Sequence, residues 1–232
     1  MTRPTGARTR LAAVLWDMDG TLVDSEKLWS VSMAGLAARL GGELSAATRE
    51  ELTGSSLTRT VTTVRREVGM DAGAPVDADA LARDGRWLLD RTTEVFRGGL
   101  PWLPGARAAL AAVRASGVAT ALVTSTYREL TEVALDTVGR EWFDVTVCGD
   151  EVSATKPDPA PYLRAAELLG VDPARCVAIE DSATGTRSAV AAGATVLVVS
   201  SGGPVDAGDR RVPRRSLEGL GPAELESLLA AP

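Results

Sequence analysis

Residues 11–23 read LAAVLWDMDGTLV. Six apolar residues, 11–16, run without interruption and stop at Asp17. A strand covered on both faces has this composition, because neither face has to meet water. Polar residues then crowd the turn: Asp17, Asp19 and Thr21 stand around Gly20, whose missing side chain permits a tight bend. The same signature recurs four times. Residues 118–123 (VATALV) are closed by Thr124, and residues 145–148 (VTVC) by Gly149 and Asp150. Residues 176–179 (CVAI) are closed by Glu180 and Asp181, and residues 195–199 (TVLVV) by Ser200 and Ser201.

Helical patterns separate most of these runs. Ala106, Ala109, Leu110 and Val113 share one face ahead of Gly117; Tyr162, Ala166 and Leu169 do so ahead of Gly170. A short helix through Ala189, Val190 and Ala192 ends at Gly193. Alternating strands and helices from residue 105 onward predict an α/β fold, a Rossmann-like parallel sheet with helices on both faces. Residues 24–97 interrupt that alternation. Trp29, Met33, Leu36 and Leu40 recur at helical spacing, as do Leu57, Val61, Val64 and Val68, and Leu81, Leu88 and Val95 mark a third helix. The expected organisation is a tail (1–10), an α/β core (11–23 and 98–232) and an all-helical insert (24–97). Residues 202–215 read as a loop in which Arg210, Arg211, Arg214 and Arg215 are solvated, and 222–230 as a closing helix.

The chain has 232 residues, 45% hydrophobic and 24% charged, which supports a sizeable core. Its 25 Lys+Arg against 31 Asp+Glu leave a net charge of −6, which argues against a basic nucleic-acid footprint. No apolar run approaches the ~20 residues of a membrane span, so neither nucleic acid nor membrane is an expected partner. Two cysteines, Cys148 and Cys176, make no disulfide framework; they read as small core residues in a reducing, cytoplasmic setting. Histidine is absent, which excludes Ser-His-Asp and Cys-His catalysis and zinc sites built on imidazole.

In an open parallel sheet, ligands bind beyond the carboxyl ends of the strands. Asp17, Asp19, Thr124, Glu180 and Asp181 all fall there, and Lys156 lies in the loop after residues 145–148. Each alone has a bland reading as a turn, a cap or a solvated charge. Together they bring four carboxylates, a hydroxyl and an ammonium to one sheet edge. Converging carboxylates need a cation, and oxygen ligands without His or Cys select a hard ion such as Mg2+. A cation, a lysine, a hydroxyl and the backbone N–H groups after Asp17, Met18 among them, would cradle a phosphoryl group. One carboxylate could then attack phosphorus while a second, two residues on, shuttles the proton.

DMDGTLVDSE (17–26), ALVTST (121–126), TKPDPAPY (155–162) and AIEDSATG (178–185) resemble the four motifs of the haloacid-dehalogenase-like (HAD) hydrolases. The helical insert resembles the cap of subfamily I, and the nearest group is β-phosphoglucomutase-like and phosphoglycolate-phosphatase-like. The resemblance implies Asp17 as nucleophile and metal ligand. It implies Asp19 as general acid/base, with its carbonyl on the metal. Thr124 and the Ser125 backbone would bind phosphate, Lys156 would neutralise the nucleophile and the phosphoryl, and Asp181 with Glu180 would hold Mg2+. The expected activity is hydrolysis of a small phosphorylated metabolite, a sugar phosphate among the candidates, by a monomer or weak homo-oligomer. Two departures separate the chain from the sugar-phosphate mutases, the first alternative. Trp29 stands where those enzymes usually carry histidine, and Leu57 follows Gly54-Ser55-Ser56 where they carry arginine, although Arg59 is near. Lys27 is the sole lysine of the insert and reads as exposed, not as a phosphonatase Schiff base. A second alternative is a non-catalytic phosphoacceptor, which also clusters Asp, Thr and Lys but lacks a helical insert. Trp87 and Trp102 are read as packing residues or as lining between cap and core.

Overall fold

A computed structural model describes residues 11–52, 55–70, 77–199 and 208–229. The tail 1–10, Gly54 and residues 200–207 lie outside the described residues. The strands are β1 (Ala13–Trp16), β2 (Ala119–Val123), β3 (Val145–Val147), β4 (Cys176–Glu180), β5 (Thr195–Val199) and β6 (Arg211–Arg214). The α-helices are α1 (Glu26–Arg39), α2 (Ala46–Glu51), α3 (Leu57–Glu67), α4 (Ala78–Arg97), α5 (Ala106–Ser116), α6 (Arg128–Val138), α7 (Ala160–Leu169), α8 (Ala183–Ala191) and α9 (Pro222–Leu228).

The chain divides into two compact units. The first, residues 1–23, 102–126 and 140–232, carries the sheet. Its strands are all parallel, in the order β3-β2-β1-β4-β5-β6, with Leu15 in register with Ala121 on one side and Ala178 on the other. The strand order reverses between β1 and β4, where ligands of such sheets bind. Strands β1 and β4 are buried along their whole length, and Trp16 is fully enclosed. Helix α5 buries Ala106, Ala109, Leu110 and Val113, the face read from the sequence. Its last turn closes on Gly117 with φ +76, a conformation that favours glycine. Neither Cys148 nor Cys176 is in a disulfide and both are buried, and burial pushes the Cys176 thiol up to about 12.

The reading of 202–215 as a loop is corrected over 211–214. That segment is the edge strand β6, paired in parallel with β5. Arginines and Pro213 hide it from a hydrophobic pattern, yet an edge strand, half-exposed, accepts both. Nor is Arg214 merely solvated. Its guanidinium donates to the Ser216 and Glu218 carbonyls, both at 2.7 Å, and pairs with Glu224.

The second unit, residues 24–101 and 127–139, is helical. Met33, Leu36, Val61, Val64 and Leu88 form its buried centre, with Leu44 and Leu52 from around α2, a helix too short to leave a sequence pattern. Side-chain caps start α2, α3 and α4: Ser45, Ser56 and Asp77 accept from the first-turn amides. Arg65 and Asp84 form a buried ion pair. Helix α6 belongs to this unit, where Arg86 of α4 holds Glu129 through two bonds of 2.6 and 2.7 Å. Trp29 meets Phe96 edge-on at 6.1 Å, and Arg39 stacks 5.5 Å over Trp87. Trp102 belongs to the first unit and bridges to Val23.

Candidate active site

The turn after β1 is held by its own backbone. The Asp17 amide donates to Ile179 O of β4 at 3.0 Å, and the Leu22 amide returns to Met18 O at 2.9 Å. Met18 is fully buried. Gly20 sits at φ +82, and a Cβ there would overlap the Asp181 carboxylate. Glycine at this position therefore lets Asp181 close onto the turn, where Thr21 Oγ1 donates to Asp181 Oδ1 at 3.3 Å.

Lys156 reaches into the sheet edge with a side chain only 5% exposed. Its ammonium has three donors and three acceptors: Asp17 Oδ1 at 2.6 Å, Glu180 Oε1 at 2.6 Å and the Val123 carbonyl at 2.9 Å. Glu180, the last residue of β4, is fully buried and accepts from the Tyr162 hydroxyl at 2.6 Å and Ser182 Oγ at 3.0 Å. Gly185 in the first turn of α8 makes room for it, because a Cβ there would collide with that carboxylate. Asp19 turns the other way. Its Oδ2 accepts from Thr126 Oγ1 at 2.8 Å and Thr124 Oγ1 at 3.2 Å, and Thr124 Oγ1 in turn accepts from the Thr126 amide. Ser125 is exposed at the tip of that loop, with its backbone pressed against Gly149.

The structure thus gathers the sequence-derived residues into two adjoining groups. One is Asp17, Lys156, Glu180 and Asp181; the other is Asp19, Thr124 and Ser125. They are joined by the chain at Met18 and at Val123. Sequence reasoning missed Thr21, Thr126, Ser182 and the role of the Tyr162 hydroxyl. Tyr162 read as one apolar residue of a helix face, and its only signal was that a buried phenol needs a polar partner.

One ammonium serves two carboxylates, and the charges do not balance. Oxygens of Asp17, Glu180 and Asp181 lie within 4.8 Å of one another, and Asp17 Oδ2 is buried with no hydrogen-bond partner. Burial first, then the Glu180 charge, push the Asp17 carboxyl up to about 7, against the pull of Lys156. Burial would lower the Lys156 ammonium, but Asp17 and Glu180 outweigh it and raise it. Burial pushes the Tyr162 hydroxyl well above its ordinary value, so it stays a donor. An orphaned carboxylate oxygen among three converging acids fits a hard divalent cation.

A parallel sheet whose switch point holds carboxylates, a lysine and hydroxyls makes this an α/β protein with a polar, charged site at its strand ends. The haloacid dehalogenase-like hydrolase family model matches residues 11–193, and the chain belongs to that family. It is 30% identical over 194 residues to hexitol phosphatase B of Escherichia coli (strain K12), covering 82% of this chain and 84% of that protein. To a CBBY-like protein of Arabidopsis thaliana it is 32% identical over an alignment of 221 residues, and the match covers 84% of this chain but only 65% of that longer protein. The crystal structure of CbbY from Rhodobacter sphaeroides in complex with phosphate superposes with a TM-score of 0.80 at 29% identity, over 93% of this chain and 99% of that one. Among the described residues, no helix is long and apolar enough to cross a membrane.

Proposed function

We propose that this protein is a Mg2+-dependent phosphatase that hydrolyses a small phosphorylated metabolite, a sugar or sugar-alcohol phosphate, through an aspartyl-phosphate on Asp17. The observation that carries the reading is the buried Asp17 carboxylate, with one oxygen on Lys156 and the other without a partner. Asp17, Glu180, Asp181 and the Asp19 carbonyl would hold Mg2+, which when bound supplies positive charge to the phosphoryl oxygens.

Asp17 attacks phosphorus, and the P–O bond to the leaving group breaks as Asp19 gives that oxygen a proton. Asp19 then takes a proton from water, which attacks the aspartyl-phosphate and releases phosphate. Thr124 and Thr126 hold the Asp19 carboxylate in place between the two steps. Lys156, with the Ser125 and Met18 amides, offsets the charge that builds on the transferring group.

Substrate class follows the relatives named above, a hexitol phosphatase and a phosphate-bound CbbY. Hydrolysis is preferred to mutase and phosphonatase chemistry because the helical unit engages its candidate residues for those reactions elsewhere. Trp29 packs on Phe96, Arg59 pairs with Glu51 at 3.0 Å, and Lys27 is exposed and paired with Asp24. We assign the helical unit the part of a substrate-selecting cap, and the protein to a reducing cytoplasm, in keeping with its two cysteines, neither of them in a disulfide. A panel of phosphate esters assayed with Mg2+ tests the proposal: wild type releases phosphate and Asp17→Asn does not. Turnover that survives in the Asn variant would remove the covalent mechanism, and isomerised sugar phosphate in place of free phosphate would favour the mutase.

A further inference from the structure

Lys156 is a long, flexible side chain, and holding it in one geometry costs about 2 kcal/mol of rotamer entropy. Something must confine it. Tyr162, fully buried in the first turn of α7, meets the charged group twice. Its hydroxyl donates at 2.6 Å to Glu180 Oε1, the same oxygen that Lys156 takes. Its ring centroid lies 5.2 Å from the Lys156 ammonium, within the range of a cation–π contact.

We propose that Tyr162 is a positioning residue, whose hydroxyl fixes the Glu180 carboxylate and whose ring faces the ammonium, so that Lys156 is set against Asp17 from two directions. The phenol satisfies Glu180 without adding a second cation. By sharing the Glu180 oxygen that the ammonium also bonds, it reduces the ammonium charge drawn to Glu180 and leaves more of it for Asp17 and for an arriving phosphoryl group. Ser182 pins the other Glu180 oxygen, and Gly185 backs the carboxylate, so Tyr162 completes its restraint. This inference rests on the phosphatase reading for its catalytic consequence, but not for its geometry.

The sequence offers an independent probe, because Lys27 and Lys156 are its only lysines. Uniform 15N-lysine labelling of the full chain gives two side-chain ammonium signals, and exposed Lys27 is the internal control. Tyr162→Phe keeps the ring and removes the hydroxyl, and Tyr162→Leu removes both. The Lys156 signal is expected to shift or broaden in Tyr162→Phe and to move further in Tyr162→Leu as the ring current is lost, with Lys27 unchanged. With p-nitrophenyl phosphate and Mg2+, Tyr162→Phe is expected to lower kcat about 10–150-fold with KM within about threefold, the range set by one hydrogen bond to a charged group. A Lys156 signal unmoved in both variants overturns the proposal. So does a loss of kcat smaller than about fivefold in an enzyme that turns over. If wild type hydrolyses no ester, the phosphatase reading fails instead, and the ammonium signal alone decides the role of Tyr162.

Discussion

Stripped of divalent cations, the protein should lose stability steadily as pH rises from about 4 to about 7 and then level off, and Asp17 should account for the slope. Its carboxyl is pushed up from 3.8 to about 7, by burial and then by the Glu180 charge. A group whose folded value is raised binds its proton more tightly in the folded state. Its contribution is therefore intact below the unfolded value and lost as pH rises through about 7. A rise of about 3 units corresponds to about 4 kcal/mol, at about 1.4 kcal/mol per unit. For a chain of this size that is about 8–16 °C in Tm, at about 2–4 °C per kcal/mol. Above about pH 5 the window is clean, because ordinary carboxylates have already ionised and the chain has no histidine. The Lys156 and Tyr162 groups are raised, away from the window on its alkaline side. Glu67, Asp90, Glu129 and Asp144 are lowered, so their contributions are lost only at more acid pH. Calorimetric melts in chelator at each pH measure the slope; Asp17→Asn should flatten it, and Mg2+ at pH 8 should restore most of the lost Tm to wild type. A flat wild-type profile, or a slope that persists in Asp17→Asn, would refute the charge imbalance on which the metal site is argued.

Lys156→Met leaves Asp17 and Glu180 without their shared cation. It should cost about 3–5 kcal/mol in urea unfolding and at least about 100-fold in kcat, and near-native values of both would count against the cluster. Gly185→Ala drives a Cβ into the Glu180 carboxylate; a loss of about 1–3 kcal/mol with kcat falling is expected, and unchanged melting would show that the carboxylate is free to move. In the helical unit, Arg65→Met strands Asp84 in the interior and should lower Tm by about 6–20 °C. The double change Arg65→Met/Asp84→Leu should recover most of that loss, and equal melting of single and double variants would show that the pair is not buried in solution.

The parts of this molecule legible in its sequence are those governed by hydrophobic pattern. Residues 11–16 and 176–179 announce β1 and β4 because strands buried on both faces carry no polar residue, and Gly117 and Gly170 announce helix ends because each must take a left-handed turn. Strand β6 was illegible for the opposite reason, since an edge strand can consist of arginines and a proline. Helix α6 is amphipathic in the ordinary way, but nothing local says that Glu129 will find Arg86 forty-three residues earlier and bind the helix to its own unit. The same logic divides the site. Its charged residues could be collected from strand ends because topology brings strand ends together. Their pairings could not. That Lys156 takes Asp17 and Glu180 at once, that Asp19 turns to Thr126 and not to Lys156, and that a tyrosine on an apolar helix face spends its hydroxyl on a carboxylate are choices made by distance in three dimensions. Each leaves a chemical residue that can be measured: an Asp17 carboxyl with one oxygen unpartnered, a lysine held by three acceptors, a phenol that meets the pair through both hydroxyl and ring. If those three do not respond together when any one of them is changed, the cluster is a packing accident and not a machine for phosphoryl transfer.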